Sequence, residues 1–300
     1  MNLKSTKMPL NLIYILSSGH SGSTLTDLIL GAHSSLESVG ELNKLPEYIS
    51  PKSHRTDDRK ICTCGVHISK CEYWNSILNK LDYPSAYEIN NLDNFNQNNY
   101  ELIKKILQVS GKSILIDSSK NPNRLKNLIE SNQFDITVLH LIRDGRAVGY
   151  SGQRKQTKLQ QEFGSDYKKA LNKMNKKNEF YEFYNAVKRW NYNNLSNYYK
   201  FSNEPRVNYF SLKYENLVNN PSKELSDIFA KLGLSFEEKQ LNFSEMTHHN
   251  IAGNRMRLAK NTTIALDEEY KRNLSFIQWW RATYIAHKAL RLFKYPLRRK

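Results

Sequence analysis

An apolar run, Asn11 to Ser17, leads into Ser-Ser-Gly-His-Ser-Gly-Ser-Thr (Ser17 to Thr24) and then into an apolar helical pattern from Thr24 to Leu30. Strand, small-residue loop and helix in that order restrict the chain to an α/β fold whose first turn can cradle an anion. Gly19 and Gly22 let successive N–H groups converge, the helix dipole adds to their field, and Ser21, Ser23 and Thr24 offer hydroxyls. The loop suits a 5′-phosphate or a phosphosulfate, although the same composition also serves as plain punctuation between strand and helix. An ATP- or GTP-binding loop, Gly-x-x-x-x-Gly-Lys-Ser/Thr, is disfavoured. Ser17 stands at its first glycine and Ser23 at its lysine, so a γ-phosphate would lack its main cation.

Three more strand–helix units follow. Ile114 to Ile116 reaches Asp-Ser-Ser-Lys-Asn-Pro, where Asn121 can cap a helix with Pro122 at its first position and Leu125, Leu128 and Ile129 as its apolar stripe. Ile136 to Ile142 precedes Arg-Asp-Gly-Arg-Ala-Val, where helix resumes. Val207 to Leu212 precedes a helix opened by Asn220-Pro221, with Leu225, Ile228, Phe229 and Leu232 on one face and Gly233 to end it. The alternation predicts one domain over 1–300, an α/β fold with a parallel central sheet flanked by helices. Two stretches depart from it. Residues 52–110 hold all three cysteines and an Asn-rich passage (Asn90 to Tyr100), and read as a helical insertion with a polar loop. Residues 155–203, rich in Lys, Asn and Tyr, read as surface helices near the acceptor side. The segment from Asp267 reads as one helix with a basic, frayed tail.

A net charge of +16 and a pI near 9.6 point to an anionic partner. No helix-turn-helix, zinc-finger or RNP pattern supports nucleic acid as that partner. No run of about 18 apolar residues predicts a membrane span, and the first ten residues lead into a strand rather than a cleavage site. Three cysteines confined to Cys62–Cys71 make no disulfide framework, so a cytoplasmic enzyme is expected.

Leu-Ile-Arg-Asp-Gly-Arg-Ala-Val-Gly-Tyr-Ser (Leu141 to Ser151) offers a second anion site. Arg143 ends a buried strand, where a guanidinium can face the crevice at the carboxyl edge of the sheet, and Ser151 lies about two helical turns on. Arginine plus hydroxyl clamps a terminal phosphate, since the fork binds two oxygens at once. The alternative is a carboxylate partner that steadies the strand end.

Taken together the two loops resemble the family of sulfotransferases that use 3′-phosphoadenosine 5′-phosphosulfate (PAPS), in a bacterial form that reads His-Ser-Gly-Ser-Thr. Gly-Glu-Leu (Gly40 to Leu42), Asp-Ser-Ser-Lys-Asn-Pro and Leu-Lys-Tyr-Glu-Asn-Leu-Val-Asn-Asn-Pro (Leu212 to Pro221) are similar to further segments of that family, in its order. The resemblance implies a P-loop-kinase-like fold with helical insertions, PAPS at the carboxyl edge of the sheet, and in-line transfer that releases adenosine 3′,5′-bisphosphate without a metal. It implies cofactor contacts at Gly19, His20, Ser21, Gly22, Ser23 and Thr24 for the 5′ end, and at Arg143 and Ser151 for the 3′-phosphate. Tyr214 joins them from its segment. Gly253, Asn254, Arg255 and Arg257, in a stretch similar to a late loop that closes over the nucleotide, complete the set. Glu41 matches a general base, and Lys120 a cation beside the bridging oxygen. His20 stands where many members carry Arg or Lys. An imidazole there still donates a hydrogen bond, but its charge is lost as pH rises past its ordinary pKa of about 6.5. The acceptor expected is a hydroxyl or nitrogen of a small soluble metabolite or natural product, with a sugar or tyrosyl acceptor left open.

Cys62, Cys64, His67 and Cys71 form Cys-x-Cys-x-x-His-x-x-x-Cys. They can hold a structural metal, pair as thiols or a disulfide, or simply be buried; His248 and His249 read as capping or packing residues. Trp279 and Trp280, near Phe276, Ile277 and Tyr284, read as a helix face docked into the core, as does Trp190. Tyr181, Tyr184 and Tyr192 can line a pocket mouth, and the run Lys168 to Lys177 reads as a solvated face that can steer an anion.

Overall fold

Strand β1 (Leu10–Ser17) sends Leu12, Tyr14 and Leu16 into one apolar interior and Ile13 and Ile15 into another. Successive strand side chains point to opposite faces, so a strand apolar at every position needs cover on both sides. Helices packed on both faces of a parallel sheet supply it. The computed structural model describes residues 8–56, 60–81, 85–154, 179–259 and 263–299. In it β2 (Leu36–Ser38), β3 (Ile114–Asp117), β1, β4 (Phe134–Ile142) and β5 (Val207–Lys213) lie side by side in that order, all parallel. From β1 in the middle the chain goes to the edge strand β2, returns to β3 beside β1, then crosses to β4 and out to β5. Ligands of such sheets bind in the crevice beyond the carboxyl ends of the strands.

Helix α1 (Ser23–Gly31) covers one face; α2 (Leu45–Ile49), α3 (Glu72–Leu78), α4 (Phe95–Ser110) and α5 (Pro122–Glu130) cover the other. Asn121 caps α5 as its sequence predicts, its side chain accepting from the N–H groups of Asn123 and Arg124. After β4 comes α6 (145–154), described as far as Arg154; residues 155–178, with the lysine run Lys168 to Lys177, lie outside the described residues. Helix α7 (Glu179–Phe201) follows, then β5, α8 (Tyr214–Asn219), α9 (Pro221–Lys231), α10 (Glu269–Asn273) and α11 (Phe276–Leu292). Ala282, Ala286 and Ala289, all fully buried, lie on one face of α11 and let it close on α7 in a third apolar cluster around Trp190.

Several expectations change. Strand β2 has no counterpart in the sequence pattern: three residues at a sheet edge are too short to show a period. The Asn-rich passage is only half loop, since α4 begins at Phe95 and buries Asn98 and Asn99. The Asn99 amide donates to the carbonyls of Ile89 and Phe95, both at 2.8 Å. The terminal segment is two helices, split where Ser275 and Gln278 form a capping box. Its tail is docked rather than frayed: Arg299 donates to the carbonyl of Leu274 (2.9 Å), and Tyr295 to Glu215 (2.7 Å). Of the large apolar residues expected on the docked face of α11, only Trp279 enters the core, whereas Phe276, Ile277, Trp280 and Tyr284 are exposed. Of the α7 tyrosines, Tyr184 packs against the third cluster while Tyr181 and Tyr192 are exposed.

Candidate active site

Five of the loops singled out in the sequence begin where a parallel strand ends. Residues 18–22 follow β1, Gly40 and Glu41 follow β2, Ser118 to Asn121 follow β3, Arg143 follows β4, and Tyr214 follows β5. Parallel pairing puts all five ends on one edge of the sheet.

The anion cradle is built on a bare helix terminus. Gly22 stands at the N-cap of α1 with φ 88° and no side-chain cap, which leaves the first-turn N–H groups of α1 without intrahelical partners. A Cβ on Gly22 would fall 2.3 Å from the Tyr214 ring, so glycine is required both by its backbone and by the close approach of Tyr214 to the loop. The Ser21 hydroxyl is buried without a hydrogen-bond partner among the described residues, and the space over Gly19 is open. His20 (φ 65°) and Lys120 (φ 62°) are both left-handed, a conformation that costs roughly 1–3 kcal/mol per non-glycine residue and persists where the surroundings impose it. Beneath the loop, Asn194 donates to the Ser18 hydroxyl (3.1 Å). His140 in turn donates from Nε2 to the Asn194 amide oxygen (3.0 Å) and accepts at Nδ1 from Tyr209 (2.6 Å). Burial pushes His140 down to about 4, so this prop is neutral at physiological pH.

Lys120 and Glu41 meet at the centre. The ammonium donates to Glu41 Oε1 at 2.5 Å and to the Ser23 hydroxyl at 3.4 Å, with both partners of the ion pair largely sheltered from solvent. The loops that carry them are tied together, since the Ser118 N–H donates to the Gly40 carbonyl (3.0 Å).

Arg143 links the first loop to a strap before α10. It donates to the His20 carbonyl (3.2 Å) and the Asp267 carbonyl (3.0 Å), faces the Asp267 carboxylate at 3.6 Å, and lies over the Tyr214 ring at 4.9 Å. Arg154, on α6, reaches the same carboxylate at 2.8 Å and Glu269 at 2.6 Å. Desolvation would raise the Asp267 carboxyl, but a bond from the Glu269 N–H and the charges of Arg154 and Arg143 hold it below the usual range. Ser151 is three residues before Arg154 and therefore on the same face of α6. Two guanidiniums thus share the Asp267 carboxylate at the crevice edge, and Glu269 takes the second half of Arg154.

The sequence profile of the sulfotransferase family matches residues 12–238, a span that holds all of the sheet but the first two residues of β1. The chain belongs to the sulfotransferase family. Two solved structures share its fold. The sulfotransferase domain of the Synechococcus PCC 7002 olefin synthase is 21% identical, with 98% of each chain covered and a TM-score of 0.60. The sulfotransferase domain from the curacin biosynthetic pathway is 22% identical, with 97% of this chain and all of that one covered and a TM-score of 0.62. A search of curated protein sequences finds no match.

In this sulfotransferase the far wall of the crevice is a seam between the cysteine insertion and residues 248–257. Ile251 pairs with Gly40 as an isolated parallel bridge, its N–H donating to Val39 (2.9 Å) and its carbonyl accepting from Glu41 (3.2 Å). Gly40 has φ 82°, and a Cβ there would meet the Ile251 oxygen at 2.2 Å. The Asn254 N–H donates to Thr24 Oγ1 (3.0 Å), which brings Gly253 and Asn254 onto the cradle, while Arg255 is exposed. Arg257 differs from its expected place. It is buried and donates to the carbonyls of Ile61 (2.8 Å) and Asn250 (3.4 Å) and to the Thr63 hydroxyl (3.3 Å), so both of its terminal nitrogens clamp the seam.

The cysteine cluster also differs from its sequence pattern. His67 is used locally, its Nδ1 accepting from the Ser69 N–H to cap a short turn, and it does not join the cysteines; His249 does. Sequence spacing cannot find His249, which is 178 residues beyond Cys71. Asp27 is another residue that the motifs miss. Burial pushes it up to about 7, against hydrogen bonds from Ser38 and Asn250 that pull it down. Arg154 and Asp267 escape the motifs for the same reason: their value lies in a meeting across the fold. Among the described residues no helix is long and apolar enough to cross a membrane.

Proposed function

We propose that this sulfotransferase takes its sulfuryl group from PAPS and passes it to a hydroxyl or nitrogen of a small metabolite or natural product. The observation that carries the reading is the Lys120–Glu41 pair at the mouth of an uncapped helix N-terminus, with Arg143 bonded to the rim of the same loop. The orphaned Ser21 hydroxyl and the bare first turn of α1 fit the 5′ end of PAPS, while Arg143, Arg154 and Ser151 fit its 3′-phosphate. The two cradles touch through Arg143, which supports one nucleotide lying across both.

PAPS, when bound, supplies a sulfuryl group on a phosphosulfate bridge. Glu41 takes the acceptor's proton as the new S–O or S–N bond forms. Lys120, released from Glu41, meets the charge that grows on the phosphate oxygen as the old S–O bond breaks, and His20 and the α1 N–H groups share that charge. Sulfated acceptor and adenosine 3′,5′-bisphosphate leave. On the insertion side, directly after the Glu41 turn, a cleft of about 540 Å³ lined by Pro46, Glu47, Ser50, His54, Arg55 and Tyr87 offers polar and aromatic surface for an acceptor. Both structural relatives come from biosynthetic systems, an olefin synthase and the curacin pathway, which favours a small acceptor over a glycan. The cytoplasm is the compartment that suits this reaction.

The test combines calorimetry with product detection by mass spectrometry over a broad acceptor panel. Adenosine 3′,5′-bisphosphate is expected to bind, Arg143→Ala to weaken it at least tenfold, and Glu41→Gln to cut turnover about 10²-fold or more while leaving nucleotide affinity intact. No heat on adding the bisphosphate would refute the cofactor assignment, and a fully active Glu41→Gln would refute the base.

A further inference from the structure

We infer that Cys62, Cys64, Cys71 and His249 hold one structural zinc ion, and that this ion fastens the cysteine insertion to the loop that carries the far wall of the active site. The assignment does not depend on PAPS or on any acceptor.

Distances carry the argument. Cys62 and Cys71 sulfurs are 3.7 Å apart, as are Cys64 and Cys71. His249 Nδ1 lies 3.7 Å from Cys62 and 3.4 Å from Cys71. All four ligand atoms fall within 4.8 Å of one another. A tetrahedral zinc with Zn–S of about 2.3 Å and Zn–N of about 2.0–2.1 Å requires S···S edges of about 3.8 Å and S···N edges of about 3.5 Å. Four of the six separations match those edges, and the other two, Cys62 to Cys64 and Cys64 to His249, lie within 4.8 Å. A disulfide would bring one sulfur pair to about 2.0 Å and leave the third cysteine and the imidazole unused; instead all three cysteines are free. A string of thiol hydrogen bonds needs only neighbours in line, whereas here four soft donors from two distant segments close on one point. Three thiolates and an imidazole in tetrahedral array select zinc over hard cations such as magnesium and calcium.

The frame around the donors is rigid. Cys62 and Cys64 sit in a tight hairpin, with Ile61 bridged to His67, the Cys62 N–H donating to Val66 (2.9 Å) and the Gly65 N–H to Cys62 (2.9 Å). That hairpin turns His67 away on its second arm. The His249 ring is stacked on Tyr73 at 4.4 Å with an interplanar angle of 5°, and its carbonyl accepts from Trp74 Nε1 (2.9 Å). Orientation by neighbours of this kind fixes a ligating imidazole. Two residues on, Ile251 pairs with Gly40, and Glu41 follows directly. The ion therefore holds a backbone whose next tie point is the base of the active site.

Metal content of the purified full chain, obtained without a chelating resin, tests the proposal. About one zinc per chain is expected, with the four-coordinate closed geometry of a structural site. Cys64→Ser and His249→Ala should each lose most of it, and His67→Ala should retain it. Cobalt exchanged into the site should show thiolate charge-transfer bands and the intense visible bands of a tetrahedral ion, and His249→Ala should shift both. Should the Cys64 and His249 variants fail to fold, the metal content and cobalt spectrum of the parent chain and the His67 variant still decide. Parent chain free of metal, a mass two units low from a disulfide, or zinc that leaves with His67 and stays without His249 would each overturn the assignment.

Discussion

The two walls of the crevice are made in different ways. The sheet-edge wall consists of loops that leave β1, β3, β4 and β5, so a continuous backbone ladder sets its geometry. The opposite wall, residues 60–71 against 248–257, has little regular structure and is held by single ties: Ile251 on Gly40, Asn250 on Asp27 and Ser38, Arg257 on Ile61, and the four soft side chains on one another. A ladder spreads the effect of one substitution over many bonds, whereas a seam of point contacts does not. The sheet-edge wall carries the anion cradles and the seam stands behind Glu41. Changes at the anion cradles should alter nucleotide affinity, and changes where the seam backs Glu41 should alter turnover.

Among substitutions outside the reacting residues, the largest effect should come from Gly40→Ala. Its Cβ would strike the Ile251 oxygen in a backbone conformation that disfavours any side chain, which costs several kcal/mol, on the order of 3 or more. Turnover is expected to fall at least tenfold, with the Kd for adenosine 3′,5′-bisphosphate, read by calorimetry, within about twofold of the parent. A larger loss of affinity than of turnover would break the division between the walls.

Asp27 sharpens the comparison on the seam itself. Its folded pKa of about 7 lies above its unfolded value, so between about 4 and 7 the folded state keeps a proton that the unfolded state has released. Stability should therefore decline as pH rises through that window and level off beyond it. The fall should reach a few kcal/mol, because a tenfold difference in proton affinity between the two states is worth about 1.4 kcal/mol. Asp27→Asn keeps the side chain neutral and should flatten that part of the Tm–pH curve. An unchanged slope would mean that the Asp27 carboxyl is not held protonated there.

Asp267→Asn is the mildest probe and belongs to the sheet-edge wall. Removing a partly exposed carboxylate shared by Arg143 and Arg154 forfeits a contact of about 0.2–1 kcal/mol, but frees Arg143 for an anionic ligand while Arg154 keeps Glu269. Adenosine bisphosphate should bind about threefold tighter at low salt, with the gain fading as salt rises and turnover unchanged. Weaker binding would show that Asp267 supports the cradle instead of occupying it.

The contrast between the walls also marks how much could be read in advance. Asn11 to Thr24, Ile114 to Pro122, Ile136 to Arg143 and Val207 to Tyr214 each write a strand and its loop in consecutive residues, so four of the five strands, the parallel sheet and the loops that carry His20, Lys120 and Arg143 followed from local pattern. Periodicity and turn chemistry act over a few residues, and that is all these features need. The pairing of Lys120 with Glu41, the sharing of Asp267 by Arg143 and Arg154, the withdrawal of Arg257 into the seam, and the exchange of His67 for His249 beside the cysteines all join residues far apart in the chain. Which distant groups meet depends on how layers pack once the sheet has closed, and sequence spacing holds no record of it. The amino-acid order by itself determined the fold class and which loops would reach the edge of the sheet; tertiary structure alone decided which side chains complete the site, because side-chain partnership is a property of packed surfaces rather than of neighbouring residues.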